Sequence, residues 1–238
     1  MIKSQLLVRS MPLAFLAFVC VTINVDSLLA DVQGSTSNNA TVTIPDANVG
    51  GVPISASTIT ITQNEIIEQA TFTIEGLSHE FAGDLVAIVR HVESDTATAL
   101  FSRVGKSNPN LGVGDESNFE GDYDFSDATN NDLWAEAAIG STDYEIRSKS
   151  DATMQNPGVY RASAGVSGAP ISLNGVFAGL STQGTWRLEL SDRNSTVVGS
   201  FEEFSVDFVT AVPEPSAMGL VLAGVALLGV RRRRRQTR

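Results

Sequence analysis

Apolar and polar side chains alternate with a period of two over several stretches of the chain, the period that sends successive side chains to opposite faces of a strand. Within residues 185–190, Trp186, Leu188 and Leu190 fall on one face, and Thr185, Arg187 and Glu189 on the other. Phe72 and Ile74 stand alike within 71–75, and Phe204, Val206 and Phe208 within 204–208. Residues 85–89 are apolar on both faces, which suits a central strand. Further strands are predicted at 40–44, 59–62, 98–103, 123–125, 158–161 and 171–177. Turn residues such as Gly76, Gly83 and Gly184 punctuate the gaps. Only 132–139, with Trp134, Ala135, Ala137 and Ala138, has a helical look. The pattern therefore predicts an all-β body over residues 41–210, a β-sandwich or jelly roll. Residues 105–131, rich in Gly, Asn and Asp, are expected to form a long surface loop, and residues 31–40 a mobile amino-terminal segment.

Two apolar runs lie outside this alternation. At the amino end, Lys3 and Arg9 precede an apolar run over residues 11–21, and a less apolar stretch then leads to Ser27-Leu28-Leu29-Ala30. A basic start, a short apolar middle and a small residue at the cut describe a signal peptide over 1–30, cleaved after Ala30. Cys20, the single cysteine, falls inside it, so the mature chain is expected to hold neither disulfide nor thiolate chemistry. At the other end, residues 211–238 run through Val212, Pro213, Glu214 and Pro215 into an apolar helix at 217–230. Arg231, Arg232, Arg233, Arg234 and Arg235 come next. Fourteen helical residues rise about 21 Å, short of the ~30 Å hydrocarbon core. Snorkelling arginines and local thinning close that gap, so a transmembrane helix is expected with its arginines on the cytoplasmic side. Pro213 and Pro215 remove two backbone donors and disfavour helix just before them, which leaves an extended segment for a processing enzyme to bind.

Charge separates body from ends. Residues 31–215 hold every acidic residue of the 27 except Asp26, but only half of the 16 basic ones. The body is thus far more acidic than the chain's formal net charge of −11, and it repels phosphate backbones, so nucleic acid is excluded as a partner.

The Val212-Pro213-Glu214-Pro215 element, the short apolar helix and the arginine cluster together resemble the PEP-CTERM sorting signal of exported proteins in Gram-negative bacteria. The resemblance implies an exosortase-like membrane enzyme as partner, cutting near Pro213-Glu214-Pro215. The membrane-anchored precursor would then pass to the cell surface or the exopolysaccharide matrix of a biofilm. The body carries a second resemblance. His79, Gly83, Asp84 and Leu85, then Phe125, Asp127 and the closing run from Gly184 and Trp186 to Asp192, are similar to the P domain of kexin- and subtilisin-type proprotein convertases. That likeness implies a galactose-binding-like jelly roll. The P domain's stabilising role toward a protease does not carry over, since no subtilisin-like domain precedes the body.

Candidate chemistry is sparse. His79 and His91 are the two neutral-range bases, and neither sits in a nucleophile motif. The chain is therefore read as a non-enzyme. Seven acidic residues between Asp115 and Asp132 make the one candidate metal site. Asp115, Glu116, Asp122, Asp124 and Asp127 are its candidate ligands for Ca²⁺, a cation that takes six to eight oxygens, and a solvated acidic loop is the competing reading. No other cofactor is expected. Trp134 and Tyr144 are the candidate sugar-stacking residues. The leading expectation is an exported structural or adhesive protein of the surface or matrix. A carbohydrate-binding module and an accessory domain for a separate protease are the alternatives.

Overall fold

The computed structural model describes residues 29–35, 41–47, 54–105, 114–139, 144–151, 157–164, 167–195 and 197–211, the first of these as backbone alone. The apolar part of the predicted signal peptide, the arginine cluster and the predicted membrane helix lie outside the described residues.

In chain order the first strands are β1 (Leu29–Ser35), β2 (Val42–Ile44), β3 (Ser55–Ile61), β4 (Ile66–His79), β5 (Leu85–His91), β6 (Thr96–Ser102) and β7 (Asn118–Ser126). Helix α1 (Leu133–Ala137) precedes the short strands β8 (Glu145–Ile146), β9 (Val159–Tyr160), β10 (Ser163–Ala164) and β11 (Ala169–Pro170). Helix α2 (Leu173–Phe177) then leads to β12 (Gly184–Asp192), β13 (Gly199–Phe201) and β14 (Glu203–Ala211). One sheet has β4 at its centre, with β14 and β13 end to end on one side and β7 on the other. Its outer rows are β1 and β2 at one edge, and β8 and β9, parallel to β7, at the other. The second sheet is antiparallel, in the order β3-β12-β5-β6.

The alternating strands bury the faces expected of them. Trp186, Leu188 and Leu190 of β12 are buried against Phe72 and Ile74 of β4 and Phe204, Val206 and Phe208 of β14. Trp186 joins the sheets: its ring centroid lies 4.6 Å from that of Phe208 and 5.9 Å from that of Phe72, while its indole N–H donates to the Thr182 carbonyl at 2.9 Å. Truncating any one of these aromatics would cost about 3–5 kcal/mol. The body is an all-β sandwich.

Three expectations are corrected. Residues 31–35, read as part of a mobile segment, belong to β1, which pairs along β14 from Leu29↔Ala211 to Ser35↔Ser205. Residues 105–131, read as a loop apart from a short strand at 123–125, contain the nine-residue strand β7, which includes that stretch and buries Phe119, Tyr123 and Phe125. Glycine and aspartate conceal that alternation, and both answer to the ladder. Where β4 and β7 shift register between Ile74 and Leu77, Gly76 takes a φ of +60° that favours glycine, and its N–H donates to the Asp122 carboxylate at 2.8 Å. Residues 171–177, read as a strand, form α2 instead. Ser172 caps the helix by accepting from the Gly175 N–H at 2.9 Å, and Leu173 and Phe177, four apart, supply its buried face.

Candidate functional site

Four of the five candidate ligands for a cation are committed to the protein. Asp115 Oδ1 accepts from the Ser117 N–H at 2.9 Å and from the Ser117 hydroxyl. Asp122 takes the Gly76 N–H, and Asp124 takes the Thr73 hydroxyl at 2.7 Å and the Lys149 ammonium at 3.0 Å. Asp127 lies at the start of α2, accepting from the Leu173 and Asn174 N–H groups at 3.0 Å each and from the Ser172 hydroxyl at 2.6 Å. Glu116 is exposed. Among the described residues no three His, Cys, Asp or Glu side chains converge as a metal ion requires, so the structure does not assemble the five into a cage. Only Asp122 and Asp124 share a face, on β7, across from Glu75 of β4. There burial, followed by the charges of Glu203 and Asp122, pushes the Glu75 carboxyl above its usual value.

Trp134 is part of α1, and Tyr144 packs against the same helix through Glu136. Asp132 caps the helix, accepting from the Trp134 N–H at 2.8 Å, and the half-buried indole rests against the core and Gly168. Tyr144 donates its hydroxyl to Glu136 at 2.6 Å, and Arg147 grips the same carboxylate with Nε and Nη2, both at 2.5 Å. Burial pushes the Glu136 carboxyl up, but the hydrogen bonds from Arg147 and Tyr144 outweigh it and hold the group below its usual value. Positions two apart on a helix project about 200° from each other, so Trp134 and the Tyr144–Glu136 pair do not form one platform. Both aromatics are anchored by the fold.

The histidines are likewise built into networks. His79 Nε2 meets Asp192 Oδ2 at 3.1 Å with both side chains buried, and next to them Arg103 binds Asp84 at 3.4 Å. His91 closes the β5–β6 hairpin beside an open groove of about 500 Å³. Its Nε2 donates to the Gln183 carbonyl at 3.1 Å, and its Nδ1 lies 2.8 Å from the Ser94 hydroxyl. Glu93, on the rim, accepts the Thr185 N–H at 2.7 Å, the main reason that its carboxyl stays below the usual value.

The expected cleavage point, Ala30, lies in β1 opposite Thr210 of β14. The last residue of β14, Ala211, faces Leu29, and the sorting residues Val212, Pro213, Glu214 and Pro215 follow it, outside the described residues. No described helix is long and apolar enough to cross a membrane.

Residues 211–235 match the PEP-CTERM protein-sorting motif. No curated protein matches the sequence. Solved structures similar to the chain include the following two. The serine protease of Aeromonas sobria in complex with the chaperone ORF2 is 15% identical, covering 78% of this chain and 28% of that one, with a TM-score of 0.41. The serine protease of Aeromonas sobria is 16% identical, covering 77% and 27%, with a TM-score of 0.40. This chain thus spans just over a quarter of the protease. The tail carries an export-sorting motif, and an exosortase-like membrane enzyme is the partner that such a motif implies.

Proposed function

We propose that the chain is a non-enzymatic exported cargo whose β-sandwich is displayed at the cell surface or in the extracellular matrix in a structural or adhesive role. The supporting observation is the fit between fold and motif. The matched segment begins at Ala211, the residue that ends β14, so the ladder is complete before the sorting element starts. Cutting near Pro213-Glu214-Pro215 leaves every residue of β14 in place, and a signal cut after Ala30 leaves Asp31 to Ser35 paired on β14. Fractionation of cells making the full chain and a chain lacking residues 212–238 tests this reading. The shortened body should be folded and released to the medium, whereas its retention on cells at the level of the full chain would contradict the proposal.

A further inference from the structure

The segment entering α1 and the β10–β11 hairpin enclose a cavity of about 70 Å³, beyond β9 at the sheet edge opposite β1. Its walls include Asn130, Asp132, Arg161, Ser163, Gly168 and Pro170. The hairpin pairs Ser163 with Pro170, and the Arg161 N–H donates to the Asn131 carbonyl at 2.9 Å, so both walls are tied to the ladder. Two residues of this lining carry a buried polar atom with no hydrogen-bond partner, Arg161 Nε and Ser163 Oγ, and the indole Nε1 of Trp134, whose ring lies against Gly168 behind the wall, has none either. Ser163 is only 3% exposed. Buried polar groups are ordinarily paired, so two orphans on lining residues, with a third just behind the wall, point to an occupant. Arg Nε–H and indole N–H are donors only, and a serine hydroxyl can donate as well; the missing group is therefore an acceptor.

Charge narrows the choice. In a body dominated by carboxylates, Arg161 makes no ion pair among the described residues, unlike Arg90, Arg103, Arg147 and Arg187. Asp132 turns Oδ1 to the Trp134 and Ala135 N–H groups as the helix cap. We propose that this cavity binds a carboxylate group, gripped by the guanidinium fork of Arg161 and the hydroxyl of Ser163. A guanidinium matches a carboxylate through two parallel N–H···O bonds. The volume admits the carboxylate and its neighbouring atoms, not a whole sugar, so the ligand is either a small free carboxylate or the uronate edge of an acidic sugar that stays largely outside. Asn130 and Asp132 on the wall can accept from a hydroxyl beside that carboxylate. This site lies apart from the sorting tail and does not depend on it.

The full chain in detergent, titrated with acetate, glucuronate and glucose, tests the site. The chain has two tryptophans, and Trp186 is sealed in the core, so a ligand-induced change in fluorescence reports Trp134. A saturable change with glucuronate is expected, weakened at least about tenfold by Arg161→Gln and by Ser163→Ala, with glucose silent. Acetate binding as tightly as glucuronate assigns the site to free carboxylates, and glucuronate alone assigns it to acidic sugars. Circular dichroism confirms that each variant is folded, and the milder Ser163→Ala serves if Arg161→Gln is not. Silence toward both carboxylates, equal binding of glucose, unchanged affinity in folded variants, or a crystal soaked in glucuronate showing only waters in the cavity would each overturn the proposal. None of these outcomes bears on whether the tail is sorted.

Discussion

Gly83 and Gly114 stand back to back: a Cβ built on Gly83 would lie 2.2 Å from the Gly114 Cα, and one built on Gly114 would lie 2.3 Å from the Gly83 Cα. Backbone meets backbone, so no side-chain rotation relieves the clash. The approach delivers the Gly83 N–H to the Asp115 carbonyl at 3.0 Å and the Gly83 carbonyl to Arg103 Nε at 3.0 Å. Gly83→Ala should therefore destabilise the body by about 3 kcal/mol or more, where an alanine in open space would cost nothing of the kind. Urea denaturation checks this, and a midpoint within error of the wild type would show that the two segments separate freely.

Glu136 and Arg147 give a stability term whose sign with pH is fixed. The Glu136 carboxyl is held below its usual value in the folded protein, so its contribution is present above the ordinary glutamate range and is lost as pH falls through the lowered value. Glu136→Gln should cost about 2 kcal/mol near pH 7, and the difference should shrink steadily in acid. Thermal melts of both proteins between pH 7 and pH 3 follow it.

Glu75 works in the opposite sense. Burial and the charges of Glu203 and Asp122 raise its carboxyl, so the ionised form strains the folded state above the ordinary range. Glu75→Gln should stabilise the body at neutral pH by less than about 1 kcal/mol, a gain that vanishes as pH falls through the raised value. Melting temperatures at pH 7 and pH 4 distinguish this from a general packing effect, which would not depend on pH.

Tyr123 and Tyr160 are buried, and burial pushes both phenols well above 10.0. Their stabilising contribution is present below the ordinary tyrosine value and is lost as pH rises toward the raised ones. Absorbance titration at high pH should show both ionising abruptly together with loss of circular dichroism. Smooth ionisation of all three tyrosines near pH 10 in folded protein would contradict the burial.

The strands β4, β12 and β14 were legible because each sets large apolar residues every second position with polar ones between. The strand β7 has the same rhythm in Phe119, Tyr123 and Phe125, but Gly121 stands at one inward position, and the intervening aspartates resemble loop chemistry. Asp122 and Asp124 are outward residues bonded to β4, and that pairing spans about fifty positions of sequence. The helix α2 is hidden in the sequence because Ser172 signals a cap only when Leu173 and Phe177 are read four apart instead of two. Arg161 and Ser163 carry no local signature. Their significance comes from the approach of the segment before α1 to the β10–β11 hairpin, which no spacing in the sequence reveals.

The antiparallel match of Leu29 with Ala211 sets how the sandwich is presented. First and last strands leave from one pole, so an anchor at either end holds the domain in the same orientation. The opposite pole carries His79 and Asp192 beside Asp84 and Arg103, and in a body tethered at its ends as proposed that pole would face away from the tether, whether one end or both were held.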